Sequence, residues 1–237
     1  MNDDIKALID NYQMSDAGKQ LLARNQLVML VSVTAGGKNT IIQKMLNTDK
    51  YHYVVSHTTR DKRMNNGEME EDGREFWFVS MDDMQKKLEN GEFLEAKIVH
   101  QKNVYGTSFD ELQKAETASK IALLEIDVQG VAEIIQAKPD AQAIFIVPPS
   151  FEEWQRRIEN RGVSDRSDLL QRLETAEKEL EQAVNNEYFT FVVNDDLDDA
   201  VADTETIIQG DADEEKLAAA KDRAWEILNN LKSHIHS

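Results

Sequence analysis

Cysteine is missing from the 237 residues, which excludes disulfides, thiolate catalysis and cysteine-ligated zinc together. Basic charge is scarce: 27 lysines and arginines stand against 45 acidic residues, leaving a net charge of −18. A field of that sign repels nucleic acid and anionic membrane surfaces at long range, so neither is an expected partner. It does not bar one small anion, because a local arginine cluster overrides the mean field. No apolar run approaches the ~20 residues that span a bilayer. Met1-Asn2-Asp3-Asp4 puts acid where a secretory leader needs an apolar stretch, so a soluble cytoplasmic protein is the expectation. Internal repeats and low-complexity tracts are also missing. What is present, 41% hydrophobic residues, suffices for one large domain or a core with smaller inserts.

The pattern of that hydrophobicity predicts an α/β fold. Apolar runs at Leu27–Val31, Tyr51–Ser56, Lys120–Asp127, Ala143–Val147 and Thr190–Val193 read as strands. Helical spacing follows near Thr40–Leu46, Gln129–Ala137, Phe151–Arg161 and Leu169–Val184, with Ser150 and Glu153 offering a capping box to the third. Continuous apolar strands between helices imply a parallel sheet covered on both faces. Between Thr58 and Lys120 the rhythm breaks into polar sequence with short aromatic strands (Phe76–Val79, Phe93–Ile98) and one helix (Met81–Glu89), as expected of an inserted subdomain. An N-terminal helical extension precedes the first strand. An amphipathic helix from Asp211 onward carries Leu217, Trp225, Ile227, Leu228 and Leu231, and these terminal helices are expected to pack or to support self-association.

Two segments carry chemistry. The first strand runs into Ser32-Val33-Thr34-Ala35-Gly36-Gly37-Lys38-Asn39-Thr40 and then a helix, which is the strand–turn–helix context of a phosphate loop. There, backbone N–H groups and the helix dipole face phosphate oxygens, and Lys38 reaches them as a mobile cation. Two positions depart from that pattern. Ser32 replaces the first glycine, which requires its backbone to avoid positive φ, and Asn39 replaces the hydroxyl that holds Mg²⁺, with Thr40 a substitute only if the loop shifts. Ala17-Gly18-Lys19 has the letters of such a loop but no strand feeding it. The second segment is Ser56-His57-Thr58-Thr59-Arg60-Asp61-Lys62-Arg63, then Gly67-Glu68 and Gly73-Arg74-Glu75-Phe76-Trp77-Phe78. Two arginines three apart, in so acidic a chain, either meet an anion or form a solvated salt-bridge cluster with Asp61, Glu68, Glu70 and Glu71.

Here the sequence resembles the guanylate kinase family, whose GMP-binding subdomain carries Ser-x-Thr-Thr-Arg-x-x-Arg, then Gly-Glu, then Gly-x-x-Tyr-x-Phe. Further matches follow in order: Phe93-Leu94-Glu95, Asn103-Val104-Tyr105-Gly106-Thr107-Ser108, Leu124-Glu125-Ile126-Asp127-Val128-Gln129-Gly130, Ile144–Ser150, Arg156–Gly162 with Arg172, and Val193-Asn194-Asp195. The resemblance implies a kinase-like domain over residues 27–210. Its core would be 27–55, 107–150 and 189–210, with a GMP-binding subdomain at 56–106 and a lid at 151–188. It would be flanked by an extension at 1–26 and a helix at 211–237.

Roles implied by the resemblance are specific. ATP would lie on Thr34, Gly36, Gly37, Lys38, Asn39, Thr40 and Asn194. GMP would meet Arg60, Arg63 and Tyr105, with Phe76, about its phosphate, Ser56, Glu95, Thr107 and Asp127 about its base, and Glu68 elsewhere in the same site. Lys38, Arg157, Arg161 and Arg172 would carry catalysis, and Asn39 or Thr40, with Glu125, would hold Mg²⁺. The implied reaction is transfer of the γ-phosphoryl group of ATP to GMP, through positioning and charge neutralisation rather than proton chemistry.

The departures gather at the phosphate sites. Phe76 stands where the family has a phosphate-binding tyrosine. About four extra residues lie between Arg63 and Phe76, with Asn65-Asn66 and Met69-Glu70-Glu71 as the expected additions, and Glu125 replaces an aspartate. Together with Ser32, Ala35 and Asn39 they leave two readings: a guanylate kinase of reduced rate, or a binding module that keeps only the GMP pocket for a nucleotide or phosphorylated partner. A kinase of changed acceptor is a third reading, weakened by Ser56, Glu95 and Asp127. His57 and His100 read as local hydrogen-bonding residues, His234 and His236 as a terminal tail, and Trp77, Trp154 and Trp225 as core. The acidic run Asp195–Asp203 reads as a solvated helix start.

Overall fold

A computed structural model describes residues 3–65, 67–99, 102–160, 162 and 166–236; Asn66, His100 and Arg161, singled out above, lie outside the described residues. In chain order the elements are α1 (Asp3–Asp10), α2 (Asp16–Arg24), β1 (Leu27–Ser32), α3 (Lys38–Leu46), β2 (Tyr51–Val54), β3 (His57–Thr58) and β4 (Met64–Asn65). Next come β5 (Glu68–Met69), β6 (Trp77–Phe78), α4 (Met81–Glu89), β7 (Phe93–Val99), β8 (Asn103–Ser108), α5 (Phe109–Thr117) and β9 (Ile121–Glu125). The rest are α6 (Val128–Ala137), β10 (Gln142–Val147), α7 (Phe151–Asn160), α8 (Arg166–Val184), β11 (Phe189–Val193), α9 (Leu197–Gln209) and α10 (Glu214–Ile235). Contacts divide them into two compact units: Met1–Leu27 with Lys50–Leu124 and Gln136–Pro139, and Val28–Asp49 with Glu125–Ile135 and Asp140–Ser237.

The second unit is an α/β layer built on β1, β10 and β11. β1 pairs with β10 and β10 with β11, both in parallel, with Leu30 opposite Ile144 and Ile144 opposite Thr190. Met29, Leu30, Ile144, Phe145 and Ile146 are wholly buried, as continuous apolar strands require when helices cover both faces. The alternation of β and α expected from the sequence is therefore what forms. Helix α10 lies along α8 and β11 and buries Ala224, Ile227, Leu228 and Leu231. Trp225 falls off that stripe and is 36% exposed, contrary to its expected place in the core. Trp154 is fully buried as expected. The capping box before α7 forms only in half: Ser150 Oγ accepts from the Glu153 N–H, but the Glu153 carboxylate turns to Arg156 and Arg157 instead of back to residue 150.

In the first unit β2 and β9 pair in parallel, and a separate four-stranded sheet is ordered β6-β3-β8-β7. There β3 runs parallel to β6 and antiparallel to β8, and β7 pairs antiparallel with β8. A two-stranded hairpin pairs β4 with β5, bringing Met64 opposite Met69. The N-terminal extension, expected as one helical stretch, is two helices. Ser15 caps α2, and Gly18 within it lies so close to the Phe109 ring that a methyl there would overlap it. Ile5 of α1 is buried with Met84, Leu88, Phe93 and Val104. Helix α5 was not expected, whereas α9 starts within the acidic run Asp195–Asp203, where the sequence predicts a helix start, and Asp196 caps it. Among the described residues no helix is long and apolar enough to cross a membrane.

Candidate active site

The expected site residues divide between the two units. In the second, β1 ends at Ser32 and the chain turns through residues 33–37 into α3. Ser32 keeps an ordinary backbone, and among non-glycine residues of the turn Ala35, at φ 59°, takes the left-handed conformation. The serine hydroxyl donates to the Val33 carbonyl, so the loss of the first glycine costs the turn no strain at that position. Gly36 sits against the Ser32 side chain and the Val33 and Ile146 carbonyls, all within 3.3 Å of where a Cβ would be. Gly37, at φ 97°, is the N-cap of α3 and supplies no side chain to it. No acidic side chain lies in the first turn either. The helix start thus presents its N–H groups and dipole without a side-chain cap or an acid in its own first turn.

Neighbouring elements hold this turn. The Asn194 side-chain amide donates to the Gly36 carbonyl at 3.0 Å, and the Trp154 indole donates to the Thr34 carbonyl at 2.7 Å. Arg157 donates to the Asn194 carbonyl and to Glu153. Together Ala35, Gly37, Thr40, Arg157, Asn194 and Asp195 bound a cavity of about 390 Å³. Lys38 pairs with Glu125 at 3.1 Å. Glu179 of α8, absent from the expected set, lies near Lys38 and Asp127, and burial pushes its carboxyl up to about 7. Asp127 accepts from the Gly130 N–H, capping α6. Arg172 is held in a fork by Asp168 one turn earlier. Arg156 and then Arg157 hold the Glu153 carboxyl down at about 2.

The first unit gathers the rest. Thr107 donates to Glu95 at 2.8 Å and shares a 3.2 Å hydrogen bond with Ser56, so these three form one chain of polar groups across β8 and its neighbours. Glu95 and Thr107 are buried. Arg60 donates through Nε to the Tyr105 hydroxyl at 3.1 Å, and its guanidinium stacks on Phe76 and Phe78. Phe76 meets Tyr105 edge-on. The guanidinium also forms a buried bidentate pair with Glu70, at 2.7 and 3.0 Å, and the Arg63 N–H donates to the same carboxylate. These contacts hold Arg60 above and Glu70 below their ordinary values. The Arg63 side chain is exposed.

Glu68, expected in this cluster, is exposed on β5, and among the described residues the cation paired with it is Arg74, at 4.0 Å. The reason is the hairpin of β4 and β5, whose closure through the Glu70 N–H to the Arg63 carbonyl brings Glu70 rather than Glu68 back to the arginines. Asp127 belongs to the second unit, not with Ser56, Glu95 and Thr107. His57 is buried against Trp77 and Phe93, and burial pulls its imidazole down to about 4, leaving it neutral. The clearest omission from the sequence reading is Glu111, a buried carboxylate that takes hydrogen bonds from Lys114, Trp77 and His52. Among the described residues no group of three His, Asp or Glu side chains is arranged to hold a metal ion unaided.

A phosphate-loop α/β unit and a small mixed unit with paired arginines define a class, and comparison with known proteins identifies which. The guanylate kinase family model matches residues 24–211. The chain is 36% identical over 200 residues to the guanylate kinase of Schizosaccharomyces pombe, covering 83% of this chain and 96% of that one. It is 38% identical over 179 residues to the guanylate kinase of Neisseria gonorrhoeae, covering 74% and 83%. A solved guanylate kinase from Anaplasma phagocytophilum shares the fold, with a TM-score of 0.57, 24% identity, and coverage of 82% of this chain and 90% of that one. The chain belongs to the guanylate kinase family.

Proposed function

We propose that this chain transfers the γ-phosphoryl group of ATP to GMP, giving ADP and GDP. The observation that carries this is the start of α3: an N-terminus with no side-chain cap, Lys38 in its first turn, and Gly37, Thr40, Arg157 and Asn194 bounding one cavity. A module that had abandoned ATP would have no use for that combination. Thr34, Gly36, Gly37, Lys38, Asn39 and Thr40 cradle the ATP phosphates, and Asn194 borders the adenine. Lys38 leaves Glu125 for the β/γ-phosphates, while Arg157 and Arg172 exchange their helix carboxylates for the moving phosphoryl group. Arg161 joins them by resemblance. Arg60, Arg63 and Tyr105 hold the GMP phosphate through guanidinium forks and a hydroxyl, with Phe76 as an apolar wall. Ser56, Glu95 and Thr107 read the guanine edge, whose N1–H and N2–H₂ donors suit carboxylates, and Asp127 is added to them by resemblance alone.

Mg²⁺ fits the donors beside Lys38. Asn39 and Thr40 are exposed, and with the Glu125 carboxylate they offer oxygens alone, the ligands of a hard cation that keeps several waters. When bound it would neutralise charge on the β- and γ-phosphates. The acceptor attacks in line, and catalysis rests on positioning and charge. The residues sort into a sheet core, a GMP-binding subdomain at 56–106 and a lid at 151–188, and the cytoplasm is the compartment that fits these substrates.

The test is a coupled assay for GDP with ATP, Mg²⁺ and GMP. The wild-type chain is expected to turn over, and Lys38→Ala to lose about 10²–10³-fold in kcat. No GDP above the Lys38→Ala control, with GMP bound but not ATP, would instead make the chain a binding module.

A further inference from the structure

The guanine-reading strand has an unexpected anchor. β7 is the outer strand of its sheet, so its far edge exposes backbone groups that need partners. At Phe93 one side chain supplies both: the Tyr12 hydroxyl donates to the Phe93 carbonyl at 2.7 Å and accepts from the Phe93 N–H at 2.6 Å. The phenol takes the place of a missing neighbouring strand. It does so where pairing with β8 is irregular, since Phe93 lies opposite Ser108 but Glu95 opposite Thr107, leaving one extra residue between them. A bulge re-aims the side chains after it and is not fixed by the ladder alone.

The groups that follow this point are those proposed to recognise GMP. Glu95 is two residues on and accepts from Thr107. The Phe93 ring is fully buried and lies against Gly106, where a Cβ would come within 2.9 Å of the ring. Gly106 separates Tyr105 from Thr107. Tyr12 is itself held on both sides: Ile5 is buried in the cluster of Phe93 and Val104, and the Ser15 N–H donates to the Gly91 carbonyl at 3.1 Å. Burial pushes the phenol up to about 12, so it keeps its proton and its donor role at neutral pH.

We propose that Tyr12 is a positioning residue for guanine recognition, fixing the β7 bulge so that Glu95 and Thr107 meet the base edge. The proposal rests on the reading of the chain as a GMP kinase. Tyr12→Phe keeps the ring and removes only the hydroxyl. Ile5→Ala loosens the same helical extension without touching the Phe93 backbone. For each, steady-state kinetics with GMP and with IMP, which lacks the 2-amino group, are read beside thermal stability. Tyr12→Phe is expected to raise the KM for GMP about tenfold with kcat within about twofold, and to cut the preference for GMP over IMP by a similar factor. Ile5→Ala is expected to lower the melting temperature while KM and preference stay within about twofold.

Two results overturn the proposal: Tyr12→Phe leaves KM and preference unchanged whatever its stability, or Ile5→Ala shifts them as much. Should the wild type make no GDP, the kinase reading fails by itself. Calorimetric Kd values for GMP and IMP then decide the positioning role, by the same expected factors. A chain that binds neither nucleotide refutes both.

Discussion

A phenyl ring at position 76 gives Arg60 a face to stack on and Tyr105 an edge to meet, but it brings no hydroxyl. Its ring already lies against Arg60 and Tyr105, two of the three groups proposed for the GMP phosphate, so a para-hydroxyl would add a donor at small steric cost. One neutral hydrogen bond contributes about 1 kcal/mol, more when the acceptor is charged. Phe76→Tyr is therefore expected to lower the KM for GMP about five- to tenfold while leaving the KM for ATP unchanged, as steady-state kinetics with each substrate varied will show. An unchanged KM for GMP would mean that the ring's far edge points away from the phosphate. Ser32 shows the opposite outcome of a departure: the position looked demanding because the motif has glycine there, yet the strained backbone lies at Ala35. Residue identity marks where a motif has changed. Only the dihedral angles tell whether the change matters.

At the scale of elements, the parallel strands and their helices were legible because their apolar runs are continuous and their lengths unambiguous. The loop between Arg63 and Phe76 was not. Its length reveals extra residues, but both Glu68 and Glu70 are acids, and no local propensity says which returns to the arginines. Cross-strand pairing of Met64 with Met69 decides it, and that pairing is a tertiary fact. Helix α5 escaped notice because Phe109, Leu112 and Ala115 form a narrow apolar stripe, while the fourth buried position is a glutamate. Tyr12 fits the helical spacing of Ile5, Leu8 and Ile9 in the extension, but that period says nothing of its hydroxyl, whose partners are backbone groups 81 residues away.

The hairpin assignment has a direct consequence for stability. Glu70 and Arg60 are both buried, and removing one charge of such a pair costs about 3–5 kcal/mol, since the other is left uncompensated. Glu70→Gln retains some hydrogen bonding, so a loss of about 2–3 kcal/mol is expected in urea denaturation. Glu68→Gln, on the exposed strand, should change stability by less than about 0.5 kcal/mol. Equal losses from the two substitutions would mean that the register of the hairpin is wrong.

For the molecule as a whole, the buried His57 and the half-buried Glu179 set opposing responses to pH. His57, in the first unit, has its folded-state value lowered by burial from 6.5 to about 4. The unfolded chain therefore binds a proton that the folded chain refuses, so the stability is fully present above pH 6.5 and lost as pH falls toward 4. Glu179, in the second unit, has its value raised by burial from 4.5 to about 7. Here the folded chain holds the extra proton: stability is fully present below pH 4.5 and lost as pH rises through 7. Each effect amounts to about 3 kcal/mol at its limit, so between pH 4.5 and 6.5 the two slopes offset each other. Removing either should expose the other. Glu179→Gln, which mimics the protonated acid, is expected to be more stable than the wild type at pH 8 by up to about 3 kcal/mol, with the advantage gone at pH 4. His57→Phe should gain on the wild type by a similar amount between pH 7.5 and pH 4. Denaturant midpoints across this range are the measurement. Because the two groups belong to different units, a single transition moving with both substitutions would show that the units unfold together, whereas two transitions, each answering to one substitution, would show that each unit carries its own stability.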